Sequence, residues 1–104
     1  MKVFLEMILM EAKIYNFHGW ISETDQIRLY SEFSNALVDC GFHVLKEVEY
    51  FFQPYGYTAL FLLGESHFAI HTFPEHNKTY IELSSCVKKQ FDLFVQKYQP
   101  LLIQ

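Results

Sequence analysis

The sequence predicts an α+β fold: a two-layer sandwich with a mostly antiparallel sheet and helices on one face. Three observations lead there. With 104 residues, 51% of them hydrophobic, the chain can bury one modest core, so residues 1–104 read as a single domain. No repeat, low-complexity tract or linker interrupts it, and four Gly and three Pro are its strongest punctuation. Stretches of strand and helix character follow in the order β-α-β-β-β-β-α, which implies mostly antiparallel pairing with the helices on one side.

Each element carries its own signal. Residues 3–10 are apolar and strand-like, and a loop is expected around Asn16 to Trp20. Ser22 and Thr24 are candidate N-caps for a helix over residues 23–39, with Ile27, Tyr30, Phe33 and Leu37 at helical spacing and Gly41 as its stop. Residues 43–52 alternate: Val44, Lys46, Val48, Tyr50 and Phe52 share one face, whereas Glu47 and Glu49 point the other way. Pro54-Tyr55-Gly56 reads as a turn. The uniformly apolar run from Ala59 to Leu63 suits a central strand covered on both faces. Residues 67–73 and 79–85 read as two more strands. Val87, Phe91, Val95 and Tyr98 mark one face of a last helix, which Pro100 ends.

Composition removes several function classes. Eight basic side chains, of which Arg28 is the one arginine, face twelve acidic ones for a net charge of −4. No basic stripe awaits a phosphate backbone, so no nucleic-acid partner is expected. The opening run MKVFLEMILMEAK is broken by Glu6 and Glu11, is too short to span a bilayer and has no small-residue cleavage site. No membrane partner is expected, and the location inferred is cytoplasmic with Cys40 and Cys86 reduced. Aromatics reach 18%, with eleven Phe, seven Tyr and one Trp. That surplus points to a pocket or a subunit interface, and an open aromatic sheet face needs a second copy as cover, hence a homodimer.

The densest cluster of reactive side chains is ESHFAIHTFPE at 65–75, holding Glu65, Ser66, His67, His71, Thr72 and Glu75. By residue type it reads three ways: a Ser/His nucleophile pair, a His/Glu metal site, or a polar strand end at a hairpin. A metal site is disfavoured, because His67 and His71 on a strand lie roughly 13 Å apart at about 3.3 Å per residue. A hydrolase triad lacks the G-x-S-x-G elbow. In the plainest reading Ser66 and His67 form a turn and His71 is a hydrogen-bonded strand histidine.

Ser66, His71 and Cys86, together with P-Y-G at 54–56, Thr58 and the phrase E-S-H-x-x-I-H-T-x-P-E, resemble the bacterial and archaeal S-adenosylmethionine decarboxylase proenzymes. The resemblance runs from Gly41 to Cys86 without a gap. It implies that the chain cuts its own Glu65–Ser66 bond, giving a β chain of residues 1–65 and an α chain of residues 66–104 headed by a pyruvoyl group made from Ser66. The chemistry asks for these residue types. A hydroxyl beside its own peptide carbonyl attacks it in an N-to-O acyl shift, and a base then removes the serine α-proton so that the ester is eliminated.

The resemblance further implies that His71 is that base, that Thr58 assists processing, and that Cys86 donates the proton that replaces the lost carboxylate. The pyruvoyl keto carbonyl stands in for pyridoxal as electron sink. Phe52 and Phe73 are implied to sandwich an adenine and Glu75 to hold ribose hydroxyls, with packing in the core as the rival reading for the two phenylalanines. No metal is implied. The activity implied is decarboxylation of S-adenosylmethionine for polyamine (spermidine) synthesis. A decarboxylase of ornithine, arginine or lysine on the same scaffold is one alternative, and a non-cleaving dimeric relative is another. The chain has Phe73 where the family usually has Trp, and Ser84-Ser85-Cys86-Val87 in place of a Thr-Cys-Gly around the thiol. Cys40 is read as structural. Ser66 and His71 differ in strand parity, so a straight strand would hold them roughly 16 Å apart on opposite faces. An irregularity near His67 or Phe68 is therefore expected at the scissile bond.

Overall fold

A computed structural model describes residues 13–103 and contains one five-stranded sheet with two helices packed on one face. The strands β1 (Tyr15–Ile21), β2 (Lys46–Phe51), β3 (Tyr57–Leu62), β4 (His67–Phe73) and β5 (Lys78–Ser85) stand in the order β1-β5-β4-β3-β2, each pair antiparallel. The helices are α1 (Gln26–Asp39) and α2 (Lys88–Tyr98). This is the expected two-layer α+β architecture, in the expected element order.

The first strand is not the expected one. Residues 15–21, read from sequence as a loop, form β1 at the sheet edge, with Phe17 and Ile21 buried toward the helices and Asn16 and His18 exposed on the other side. That alternation of period two was present in the sequence, diluted by Asn16, His18 and Gly19. The strand-like stretch 3–10, with Glu6 and Glu11, lies outside the described residues.

Helix α1 begins two residues after Thr24 because Asp25, rather than Ser22 or Thr24, is its cap: the Asp25 carboxylate accepts the Arg28 N–H at 2.9 Å. Its buried face is Leu29, Phe33, Ala36 and Leu37, and Ile27 is 75% exposed. Gly41 ends it as expected. With φ at +99°, it lets its own N–H reach the Val38 carbonyl and the Phe42 N–H reach Leu37, closing the last carbonyls. In α2 the buried residues are Phe91, Phe94 and Tyr98, with Val95 packed at the margin. The helix ends at Tyr98, ahead of Pro100 as expected, and a 3-10 turn follows from Gln99 to Leu101.

Between the layers Phe33 meets Phe68 and Tyr98, each at 4.9 Å between ring centres, and Phe94 meets Tyr98 at 4.6 Å. Nine aromatics are buried here, so much of the compositional surplus is core. The opposite sheet face has no covering element among the described residues. Leu60 and Leu62 are each 47% exposed, so β3 is covered on one face and lies next to the edge strand rather than at the centre. On the edge strand β2 the carboxylates, Glu47 and Glu49, point toward the helices, where the Tyr30 and Tyr57 hydroxyls donate to them.

Candidate functional site

The Glu65–Ser66 bond lies in the tight turn joining β3 to β4. Leu62 pairs with His67, the Leu63 N–H donates to the Ser66 carbonyl at 2.8 Å, and Gly64 takes φ of +87° at the corner. No atom lies within 4 Å of a side chain added at Gly64, so backbone conformation rather than space selects glycine there. Glu65 is exposed, whereas Ser66 is 2% exposed. The Ser66 hydroxyl donates to the hydroxyl of fully buried Ser85 at 2.7 Å, and that same oxygen accepts the Val87 N–H at 3.0 Å. Because His67 pairs with Ser84, the ladder carries Ser66 against Ser85 and Glu65 toward Cys86. Burial pushes the Cys86 thiol above its ordinary range, and the neighbouring Glu65 carboxylate adds to the shift. Both cysteines are free thiols, and Cys40 is buried where α1 ends.

A second group gathers on the open face. Thr58 and His71 are cross-strand partners, with Thr58 Oγ1 3.0 Å from His71 Nδ1. They line a cleft of about 500 Å³ together with Phe52, Phe73 and Glu75 and the 53–56 turn, where Gln53-Pro54 is cis. Five of the sequence-derived residues thus share one cavity. Phe52 is 49% and Phe73 38% exposed, which removes the core reading for both. Phe52 packs on Tyr50, Phe73 on Trp20, and Glu75 sits in the short 3-10 turn Pro74–His76.

The two groups do not meet within one chain. The bend expected near His67 or Phe68 is absent: the turn ends at Ser66. From His67 to Phe73 both flanking ladders run in unbroken register, without a bulge at His67 or Phe68. Ser66 therefore faces the helix layer and His71 the open face, roughly 16 Å apart along the strand.

Three further residues escaped the sequence reading. Ser85 is one, hidden in a Ser-Ser-Cys run that gives no sign of which hydroxyl turns inward. Trp20 and Tyr80 are the others: they pair across β1 and β5, stack edge-to-face at 5.2 Å and extend the aromatic row beside His71, Tyr80's partner on β4. Trp20 was missed because β1 was.

The comparisons with known proteins converge. The family described as S-adenosylmethionine decarboxylase matches residues 12–100. The chain is 52% identical over 46 residues to the S-adenosylmethionine decarboxylase proenzyme 2 of Bacillus cereus, a match covering 44% of this chain and 37% of that protein. It is 39% identical over 54 residues to the S-adenosylmethionine decarboxylase proenzyme of Archaeoglobus fulgidus, covering 47% of this chain and 48% of the relative. The chain thus spans about half or less of the length of these relatives. The crystal structure of the adenosylmethionine decarboxylase from Aquifex aeolicus shares the fold, with a TM-score of 0.63 over 85% of this chain and 82% of that one at 19% identity.

Proposed function

The chain belongs to the S-adenosylmethionine decarboxylase family, and on that premise we propose that it is a self-processing, pyruvoyl-dependent decarboxylase of S-adenosylmethionine, acting in polyamine synthesis. One observation carries the reading. The Glu65–Ser66 peptide sits in a tight turn with the Ser66 hydroxyl bonded at 2.7 Å and the Cys86 thiol one residue beyond the end of the neighbouring strand β5. A buried hydroxyl held beside a turn carbonyl is placed for an acyl shift, and a thiol kept protonated by burial is placed to return a proton.

Cleavage between 65 and 66 would divide the single domain, residues 1–104, into a β chain ending at Glu65 and an α chain beginning at Ser66. When formed, the pyruvoyl group supplies a keto carbonyl that takes up the substrate amine and accepts the electron pair left by carbon dioxide. Cys86 is the proton donor in this reading, and Thr58 holds the His71 ring. The cleft of about 500 Å³ suits a nucleoside. Its half-exposed Phe52 and Phe73 offer faces to adenine and to a sulfonium charge, and the Glu75 carboxylate can accept from ribose hydroxyls.

Because His71 faces away from Ser66, the base comes from elsewhere, and a second copy that brings its own His71 to the β3–β4 turn is the source proposed. The exposed apolar residues Val48, Tyr50, Leu60 and Leu62 are the surface that such a homodimer would cover. The location proposed is the cytoplasm, which keeps thiols such as Cys86 reduced.

The test is carbon dioxide release by purified, processed protein from S-adenosylmethionine, ornithine, arginine and lysine in parallel. Release from S-adenosylmethionine is expected. Turnover of a basic amino acid alone would assign the scaffold to that substrate, and release from none would leave a non-catalytic relative.

A further inference from the structure

We propose that Ser85 is a positioning residue for self-cleavage: its hydroxyl holds the Ser66 hydroxyl in the orientation from which it attacks the Glu65 carbonyl. The inference rests on reading Glu65–Ser66 as the scissile bond and adds to it a residue that the sequence motif did not supply.

A serine oxygen has two lone pairs and one proton. On Ser85 one lone pair takes the Val87 N–H at 3.0 Å, which fixes the oxygen, and that oxygen lies 2.7 Å from the Ser66 hydroxyl. Ser85 thus gives the Ser66 hydroxyl one partner at a fixed place, and the shared hydrogen bond sets where Ser66 Oγ sits beside the Glu65 carbonyl. The anchor is rigid. Val87 caps α2, its carbonyl accepting the Phe91 N–H at 3.0 Å, so the N–H that fixes Ser85 belongs to a helix start packed on the sheet. Both hydroxyls are buried, Ser66 at 2% and Ser85 at 0% exposure, and no other side chain bonds to Ser66 among the described residues. Without Ser85 the buried Ser66 hydroxyl would have no side-chain partner among the described residues, and a hydroxyl in that state turns to its own backbone for one.

In the step itself a bond forms between Ser66 Oγ and the Glu65 carbonyl carbon, the Glu65–Ser66 C–N bond breaks, and the hydroxyl proton ends on the freed Ser66 nitrogen. Ser85 gains and loses nothing. Elimination later carries Oγ away in the Glu65 carboxylate, so the contact exists only before processing.

The experiment follows the cleavage of freshly synthesised full-length chain by intact mass over time, for wild type, Ser85→Ala and Ser85→Thr, with a thermal melt for each. Ser85→Ala should slow cleavage about ten- to a hundredfold, the size expected for one hydrogen bond to a reacting group. Ser85→Thr, which keeps the hydroxyl, should stay within about threefold of wild type. Added hydroxylamine, which cuts esters and not amides, should leave Ser85→Ala slow, because the acyl shift and not the elimination is impaired. Cleavage of Ser85→Ala at the wild-type rate overturns the proposal, as does equal slowing of Ser85→Thr or rescue of Ser85→Ala by hydroxylamine. A wild-type chain that never cleaves overturns the parent reading, and this one with it. Wild-type cleavage with an indifferent Ser85 overturns this one alone.

Discussion

Ser66 and His71 lie five residues apart and address opposite faces of the sheet: the Ser66 hydroxyl meets buried Ser85 under the helices, and the His71 ring meets Thr58 on the open face. A base acting on the Ser66 α-proton must come within hydrogen-bond reach of it. Regular β-structure from His67 to Phe73 denies that reach to the histidine of the same chain. In the reading proposed, the imidazole comes from a second chain and reaches Ser66 at the β3–β4 turn, not across the open face.

Complementation between copies follows. Ser66→Ala lacks the nucleophile and His71→Ala lacks the base, so each made alone should stay uncut or nearly so. Co-expressed, the His71→Ala chain should be cleaved, since its Ser66 can be served by the imidazole of its Ser66→Ala partner. Mass spectrometry of differently tagged chains reads this directly. A His71→Ala chain that stays intact inside a verified heterodimer would show that the base acts within one chain.

Cys86→Ala should leave self-cleavage within a few-fold of wild type and cut turnover by about 10²–10⁴, the range for loss of a general acid. The raised thiol fixes the sign of the pH dependence. Burial favours the protonated form, so turnover should persist where a free cysteine, at about pH 8.5, has begun to ionise, and should fall only at higher pH. Unchanged turnover in Cys86→Ala would remove the assignment.

Gly64→Ala should destabilise the chain by about 1–2 kcal/mol, because φ of +87° is strained for a residue with a Cβ while the space around it is open. Gly64→Asn should lose less, since asparagine tolerates the left-handed region. Urea midpoints of Ser66→Ala chains, which cannot cleave, give the comparison without interference from processing. An alanine variant as stable as its parent would mean the turn relaxes into another form.

Burial raises the phenols of Tyr57 and Tyr98 above their ordinary value of 10, and Glu49 adds to the shift at Tyr57. In the unfolded chain both would ionise near pH 10, before the folded chain releases either proton. Their contribution to stability is therefore fully present below about pH 10 and is lost as pH rises beyond it. Urea midpoints should be flat through mildly alkaline pH and then drop, with a shallower drop in Tyr98→Phe. A midpoint indifferent to pH above 10 would contradict this.

The sequence carried the strands where one periodicity dominated. β4 and β5 read correctly because His67–Phe73 and residues 79–85 alternate, and α1 because Phe33, Leu37 and Gly41 mark its face and its end. β1 was lost because Asn16, His18 and Gly19 weaken an alternation that Phe17 and Ile21 hold. The apolar run 59–63 misled in the opposite sense: Leu60 and Leu62 face outward, and an uncovered face looks in sequence like a buried one. At the site, the family resemblance implied Thr58, His71, Phe52, Phe73 and Glu75, which share one cleft. Ser85 was not legible, because only the β4–β5 register tells which of two adjacent serines meets Ser66.

Self-cleavage is read most directly from the intact mass of the purified chain. The 12.4 kDa polypeptide should divide into a fragment ending at Glu65 and a fragment whose first residue, in place of Ser66, is a blocked pyruvoyl terminus, and Ser66→Ala should abolish the division. A wild-type chain that stays whole at 12.4 kDa would contradict it.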